Sequence, residues 1–297
     1  MKRQKMKVKY NWLEVLLYLL PFLISIGLFT LWPIINVFVN SFLENLNLVT
    51  GKFQSIGFGN FIDIFTDPIF YSALKNTFLY MFTVVPISLL FALLFASLLS
   101  KKVKGTGFFQ TAYFLPMVTS VTAVGLVWKW MYNADYGIFN YFLSLFHIDP
   151  INWLNDPAYV LPSLIIYGIW SILPFTIILL LAGLQNIDET YYTAAKVDGA
   201  SSWSIFRKIT LPLLSPTIGL VLVINIINTS KVFNELFPLF NGNPGPAGSL
   251  YTIVYYIFEK FQKSLDLGVA SAAAIVLFFI VLIFTLIQRI IQKRIVK

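Results

Sequence analysis

The chain has 297 residues and a formal net charge of +8; hydrophobic residues make up 58% of it and charged residues only 11%. Soluble domains carry roughly 25% charged residues, so a chain with a mean hydropathy of +0.79 lacks the polar surface that a water-facing fold needs. We therefore expect a protein of the lipid bilayer. The absence of cysteine and the single histidine, His147, exclude disulfides and thiolate chemistry and leave no imidazole cluster for a metal site.

Transmembrane helices need about 20 apolar residues each, and six charge-free runs satisfy this requirement. They are 15–43, 76–100, 105–128, 157–187, 209–230 and 267–288. The first run is interpreted as a retained helix, because it shows no obvious small-residue cleavage site of a signal peptide. The sequence thus predicts an all-α, polytopic membrane protein with six transmembrane helices.

Two further charge-free runs are not interpreted as spans. The run 136–148 is too short to cross a bilayer and is either an interfacial helix or an ordinary connecting loop. The run 236–258 is long enough, but it contains a dense group of glycine and proline residues at 241–248. Lipid cannot satisfy the backbone of such a segment, so we expect the end of the fifth span followed by a loop.

The distribution of basic residues predicts the orientation. Fifteen of the 21 Lys and Arg residues lie in the segments 1–11, 101–104, 188–208 and 289–297. The positive-inside rule places these segments and both termini in the cytoplasm. The chain then divides into a cytoplasmic basic N-terminus (1–11), a first transmembrane helix (12–43), an extracellular loop (44–74), a transmembrane core (75–290) with a cytoplasmic loop at 185–212, and a cytoplasmic basic tail (291–297). Topology and contact with membrane lipid explain the cations, and no nucleic-acid partner is expected.

The cytoplasmic loop at 185–212 has the most informative local pattern. Asp188 is a good N-cap for a helix over 190–196, and Gly199 stops that helix because it tolerates positive φ. Ser201 or Ser202 can cap a second helix that runs to about residue 210. The pattern predicts a helix–turn–helix parallel to the membrane surface.

This loop is suited to contact with another protein. Small residues at its turn permit close approach, and aromatic residues nearby can act as anchors. The small residues are Ala194, Ala195 and Ala200, and the aromatic ones are Tyr192, Trp203 and Phe206. An amphipathic loop resting on lipid headgroups is the alternative; it would explain the aromatic residues but not the small-residue turn.

The loop resembles the EAA motif of the permease subunits of ABC importers. The positions that match are Thr193, Ala194, Ala195, Asp198, Gly199, Ala200, Phe206, Leu211 and Pro212. The resemblance implies the fold of a type I ABC importer permease, in which this loop docks onto a cytoplasmic ATPase subunit. Thr193 stands where the family usually has Glu, so in place of the usual salt bridge it can offer only a neutral hydrogen bond.

Other motifs resemble the carbohydrate-uptake branch, whose subunits are similar to the maltose permease MalF. They are Asn76-Thr77, Pro86, Gly107-x-x-x-Thr111, Phe114-Leu115-Pro116, Trp128, Gly137-x-x-Asn140 and Gly268-x-Ala270-x-Ala272. The resemblance implies a plasma-membrane permease subunit that moves an oligosaccharide or related sugar by alternating access. The implied partners are a second homologous permease, two copies of an ABC ATPase and an extracellular solute-binding protein.

The chain is not expected to be an enzyme. It has no G-x-x-x-x-G-K-[ST] phosphate loop, so it binds no cofactor of its own, and ATP with Mg is expected in the partner ATPase subunits. A membrane-embedded enzyme would need clustered acids or nucleophile–base pairs at one depth.

Polar and aromatic residues at the outer end of the third span, within the fourth span and near the outer part of the fifth span are candidates for the substrate pathway. They are Trp128, Trp130, Trp170, Asn225, Asn228, Lys231, Asn234 and Glu235. Lys231 and Glu235 are spaced i,i+4 on the expected helix, so an internal ion pair is an alternative. A second alternative is that the tryptophans only anchor the protein at the membrane interface.

Two other functions remain open within transport. A passive channel would need no docking loop for an ATPase. A non-sugar solute such as a glycerol-phosphate-type compound would call for arginine in the cavity, and none of the six charge-free runs contains arginine.

Overall fold

The computed structural model describes residues 12–47, 50–100 and 106–295, which are mostly helical. The basic N-terminus (1–11), the inner link (101–104) and the last two residues of the tail lie outside these ranges. The elements are α1 (Trp12–Ile26), a π-turn (Gly27–Leu31), α2 (Trp32–Asn40), β1 (Leu43–Glu44), β2 (Ser55–Ile56), α3 (Gly59–Thr66), α4 (Pro68–Leu99), α5 (Thr106–Val118), α6 (Val121–Met131), α7 (Ile138–Leu145), α8 (Val160–Gln185), α9 (Glu189–Val197), α10 (Ser202–Ile205), a second π-turn (Phe206–Thr210), α11 (Leu211–Ser230), α12 (Leu236–Phe240), a 3₁₀ turn (Pro246–Gly248), α13 (Ile253–Gln262) and α14 (Leu267–Ile295).

Five helical segments among the described residues are long and apolar enough to cross a membrane. They are Trp12–Asn40, Pro68–Leu99, Val160–Gln185, Ser202–Ser230 and Leu267–Arg294. These segments confirm the prediction of an all-α, polytopic protein.

The third predicted span is not a continuous helix. The run 105–128 forms the two half-helices α5 and α6, separated at Thr119 and Ser120. At about 1.5 Å per residue neither half exceeds about 20 Å, whereas the hydrocarbon core is about 30 Å thick. The third predicted span is therefore built from two half-helices instead of one continuous helix.

Helix α4 begins earlier than its charge-free run. Asp67 caps it by accepting a hydrogen bond from the backbone N–H of Ile69 at 2.9 Å, and Pro68 occupies the first turn. Lys75 interrupts the apolar run but not the helix. The last residues of the expected extracellular loop (44–74) are thus helical, and the same segment also contains β2, which pairs antiparallel with β1, and α3.

Both π-turns directly precede an X-Pro pair. Trp32 N–H bonds to the carbonyl of Gly27, and Leu211 N–H bonds to the carbonyl of Phe206. The wider turn carries the helix past a proline, which has no N–H of its own to donate. As a result Ser202–Ser230 is one helix, and the prediction of a separate second helix that ends at about residue 210 is wrong.

Helices α4 and α8 form the centre of the bundle through small residues. Ala92 and Ala96 of α4 are fully buried. At Gly168 of α8, an added Cβ would lie 2.2 Å from the hydroxyl of Tyr80. Small residues let membrane helices approach closely, which is the main source of packing energy in lipid. Helix α1, by contrast, has no buried residue.

Candidate functional site

The start of α9 is fixed by a side-chain cap, as the sequence predicts. The carboxylate of Asp188 accepts a hydrogen bond from the backbone N–H of Thr190 at 2.9 Å. Hydrogen bonds from the backbone and side chain of Thr190 lower the pKa of the Asp188 carboxyl. The carboxylate is therefore ionised at neutral pH, where its negative charge complements the positive end of the helix.

The end of α9 is a Schellman turn centred on Gly199, which has φ +69°. The N–H of Gly199 bonds to the carbonyl of Lys196 at 3.1 Å, and the N–H of Ala200 bonds to the carbonyl of Ala195 at 3.0 Å. These are the two hydrogen bonds that define the motif. An added Cβ at Gly199 would meet nothing within 4 Å, so backbone conformation, rather than space, favours glycine here.

One side of α9 is exposed and made of small or short side chains. Thr193, Ala194 and Asp198 are exposed, and Val197 is 83% exposed. The hydroxyl of Thr193 donates to the carbonyl of Glu189 at 3.1 Å, so its proton stays within the helix. A shallow groove of about 480 Å³ follows this side. Such a surface accepts a close partner.

The opposite side of α9 faces the rest of the chain. Ala195 is buried, and the hydroxyls of Tyr192 and Thr210 lie 3.3 Å apart. Thr210 is the last residue of the second π-turn, which leads into α11. A cavity of about 950 Å³ separates α9 from the ends of α4 and α8. Helix α9 is thus held at its Gly199 turn and at one hydroxyl pair rather than by extensive packing.

The remaining motif residues lie along the helix that enters the membrane. Phe206 is half-buried and stacks on Trp203 with ring centroids 5.8 Å apart. Leu211 is half-buried and Pro212 is exposed at the start of α11. These residues shape the junction between α10 and α11 rather than a second surface helix.

Two of the three candidate tryptophans pack inside the protein. Trp128 is 7% exposed, and its ring centroid lies 5.3 Å from that of Trp170 and 5.5 Å from that of Tyr167. Trp130, on the other side of α6, is 54% exposed. Trp130 is therefore accessible, whereas Trp128 and Trp170 pack against each other.

The candidate asparagines of α11 differ in their surroundings. Asn225 is buried, and its side-chain amide donates to the hydroxyl of Thr176 at 3.0 Å. Hydrogen bonds of this kind between membrane helices contribute on average about 0.6 kcal/mol. Asn228, one turn further on, is exposed. Asn225 thus joins α11 to α8, whereas the amide of Asn228 is accessible.

Helix α11 ends at Ser230, so Lys231, Asn234 and Glu235 lie beyond it. The carboxylate of Glu235 accepts a hydrogen bond from the backbone N–H of Phe233 at 3.1 Å. Across the described ranges the ion pairs are Lys260–Asp67 and Lys263–Glu259, not Lys231–Glu235. The prediction that Lys231 and Glu235 occupy one helical face is wrong, because the chain leaves the helix between them.

The break at Thr119 and Ser120 is a feature that the sequence analysis missed. The Thr119 hydroxyl donates to the carbonyl of Leu115 at 2.7 Å, and Ser120 provides no side-chain cap for α6. The first N–H groups of a helix have no partner within it. Irregular backbone at membrane depth persists only where protein buries it or where it lines a wet cavity. A Thr-Ser pair three residues after Pro116 was the available signal.

The two ends of α4 contact different parts of the chain. The cavity beneath α9 is lined by Ser97 and Ser100, at the C-terminal end of α4. Near the N-terminal end, Asn76 donates to the carbonyls of Ser249 and Tyr251, each at 2.9 Å. The 32 residues of α4 extend about 48 Å. The fold and the site together define a polytopic helical membrane protein with the capped helix α9 at one end of α4 and a set of connecting loops at the other.

Comparison with known proteins identifies the family. Residues 70–297 match the family described as "Binding-protein-dependent transport system inner membrane component", and the chain belongs to this family. It is 35% identical to the lactose transport system permease protein LacF of Rhizobium radiobacter, over 90% of this chain and 91% of that protein. It is 32% identical to the trehalose/maltose transport system permease protein MalF of Thermococcus litoralis, over 95% of this chain and 94% of that protein.

A solved structure shows the same architecture. It is a bacterial alginate ABC transporter in complex with an alginate pentasaccharide-bound periplasmic protein. The chain matches it with a TM-score of 0.82 and 26% sequence identity, covering 100% of this chain and 99% of the other.

Proposed function

We propose that this chain is a permease subunit of an ABC importer and forms the translocation pathway for a carbohydrate delivered by an extracellular solute-binding protein. The single observation that carries the proposal is the docking helix α9, with its Asp188 cap and its Schellman turn at Gly199, at the position of the motif that binds the ATPase in this family. The relatives named for lactose and for trehalose/maltose transport support the carbohydrate substrate.

The proposed assembly contains a second homologous permease, two copies of an ABC ATPase and the binding protein. ATP with Mg is bound and hydrolysed in the ATPase subunits. The solved transporter bound to a periplasmic protein supports such an assembly. Both termini of this chain would face the cytoplasm, on the same side as α9.

In the proposed mechanism this chain transmits motion rather than performing chemistry. The ATPase subunit holds the exposed side of α9, with Thr193 and Ala194 at the contact. Displacement of α9 reaches α11 through the Gly199 turn and the Tyr192–Thr210 hydroxyl pair. A ligand can shift a conformational equilibrium only through contacts that differ between the two states, so these few contacts determine the coupling.

The proposed pathway passes the break between α5 and α6. Thr119, Ser120 and Thr122 are exposed there, and their hydroxyls together with the free N–H groups of α6 can bind sugar hydroxyls. Asn228 and Trp130 are the accessible members of the earlier candidate set. Lys231, Asn234 and Glu235 would contact solute only at the outer end of α11.

The proposal is tested by reconstituting the chain with its permease partner, ATPase and binding protein in proteoliposomes. We expect ATP-dependent uptake of a neutral saccharide from a panel of lactose, maltose, trehalose and arabinotriose. Uptake without ATP or ATPase would instead identify a passive channel. Uptake of glycerol 3-phosphate, with none of the saccharides, would identify the alternative substrate class.

A further inference from the structure

A large polar cleft lies at the end of the molecule opposite the docking helix. Its volume is about 1030 Å³, at the upper end of the range of about 300–1,000 Å³ found for small-molecule sites. The cleft lies between the loop that follows α6 and the glycine- and proline-rich segment 241–248. Its lining includes Lys129, Asn133, Asn152, Asn155, Asn241 and Asn243.

The chemistry of this lining suits sugar hydroxyls. A side-chain amide offers two donors and an acceptor, so it can match hydroxyl groups, which both donate and accept. The side-chain oxygen of Asn152 accepts a hydrogen bond from the side-chain NH₂ of Asn155 at 3.1 Å. The side-chain oxygen of Asn155 and the side-chain NH₂ of Asn152 therefore remain available. Asn243 is exposed and makes no side-chain hydrogen bond within the described part of the chain. Tyr251, which is half-buried, adds aromatic surface to the lining.

The charge of the cleft favours an uncharged ligand. Its charged lining residues are Lys129 and Asp135, whose formal charges cancel. The ammonium of Lys129 lies 2.6 Å from the side-chain oxygen of Asn241, so it is already engaged with the cleft wall. Carboxylates and phosphates are usually bound by arginine forks, and none of the described residues that line the cleft is an arginine.

Both walls of the cleft are held in place by internal hydrogen bonds. One wall is tied to α4 by Asn76 and to α13 by the Tyr255 hydroxyl, which donates to the carbonyl of Gly242 at 3.2 Å. The other wall is tied by Asn140, whose amide donates to the carbonyls of Ala134 and Ile151 at 2.8 and 2.9 Å. A preformed site spares the cost of ordering loops on binding.

From the cavity, the amide-rich lining, the cancelled charge and the fixed walls, we propose that this cleft is a binding subsite for an uncharged saccharide. It is separate from the membrane-depth candidates at the α5–α6 break and on α11. The inference rests on the proposed function and extends it, because it places a first contact for the solute in the outer part of this subunit.

The test uses the assembled transporter and the absence of cysteine from the chain. Asn155→Cys and Asn243→Cys each introduce a single thiol on this subunit, and a membrane-impermeant maleimide reports its accessibility. Labelling is measured after separate additions of a neutral saccharide (maltose, lactose, trehalose or arabinotriose), of the acidic trigalacturonate, or of the binding protein without saccharide. Ser264→Cys is the control, because Ser264 is exposed and lies outside the cleft lining.

We expect a neutral saccharide alone to slow labelling at both cleft positions and to leave Ser264→Cys unchanged. Asn243→Ala, in a background carrying Asn155→Cys, should raise the half-protecting concentration about fivefold, equivalent to about 1 kcal/mol. Protection only by trigalacturonate, only by the binding protein, or by nothing would overturn the proposal. Protection by the binding protein alone would identify the cleft as a protein-docking surface.

The uptake assay separates this inference from the proposed function. Import of a saccharide that gives no protection would overturn the cleft assignment and leave the importer function standing. Protection without ATP-dependent import would overturn the importer function and leave the saccharide subsite standing.

Discussion

The Gly199 turn offers a sharp test, because its geometry separates conformation from space. Gly199 has φ +69° and no atom within 4 Å of an added Cβ. Within this chain, the effect of a substitution therefore comes from the backbone rather than from a clash. Gly199→Val places a β-branched residue where such residues are genuine outliers, whereas Gly199→Asn keeps a residue type that tolerates left-handed backbone.

The expected magnitude follows from this conformation. A non-glycine residue with left-handed backbone pays about 1–2 kcal/mol, and a penalty of this size lowers the population of the native turn by about 5- to 30-fold relative to its alternatives. Loss of the turn releases the N–H groups of Gly199 and Ala200 from their carbonyl partners. The end of α9 then loses its fixed direction toward α10.

The assay is saccharide uptake per ATP hydrolysed in proteoliposomes containing the complete transporter. We expect Gly199→Val to lower this ratio several-fold and Gly199→Asn to retain most of it. Gly51→Val is the matched control, because Gly51 has φ +67° and equally open surroundings but lies in the loop between β1 and β2. Equal coupling in Gly199→Val and Gly51→Val, with equal amounts of assembled transporter, would refute the reasoning.

Three further substitutions test other contacts of the fold and the site. Gly125→Val should lower the unfolding temperature, because an added Cβ would lie 2.3 Å from the ring of Pro238 and such overpacking costs about 1–3 kcal/mol. Asn140→Ala should cost about 1–3 kcal/mol, since the indole N–H of Trp153 loses its acceptor at 2.9 Å; tryptophan fluorescence during denaturation measures the loss. Asp188→Ala removes a helix cap worth about 1 kcal/mol and should speed hydrogen exchange at the start of α9 about fivefold.

Each of these substitutions has a control in the same chain. Gly107→Val adds a side chain to a helix where an added Cβ meets nothing within 4 Å. Asn155→Ala removes one exposed asparagine contact, and Glu189→Ala changes the first turn of α9 without removing its cap. The overpacking argument is contradicted if the two glycine variants unfold at the same temperature. The Trp153 argument is contradicted if the two asparagine variants are equally stable, and the capping argument if hydrogen exchange is equal in the two α9 variants.

The sequence alone could predict the features that depend on local chemistry. Asp188 caps a helix because its carboxylate reaches an N–H two residues later, and Gly199 ends that helix because only glycine enters left-handed backbone without cost. Long charge-free runs likewise locate the five long apolar helices of the described residues. All of these depend on neighbours along the chain, so no tertiary contact is needed to infer them.

The features that depend on partners far along the chain could not be predicted in this way. The sequence makes Trp128 a candidate for the substrate pathway, but contacts with Tyr167 and Trp170 of α8 place it in the interior. The charge of Lys75 places the start of the second span at residue 76, whereas α4 begins at Pro68. The helix can include Lys75 because this side chain is exposed. The π-turn before Pro212 joins α10 to α11 through a hydrogen-bond pattern that residue types alone do not specify.

Cross-linking from α9 tests the central claim most directly. Val197 is 83% exposed, and Val197→Cys would be the only thiol in this subunit. The account predicts that a short bifunctional reagent joins this position to the ATPase subunit of the assembled transporter, and that an impermeant maleimide added outside intact cells does not label it. Cross-links to the extracellular binding protein, or rapid labelling from outside, would contradict it.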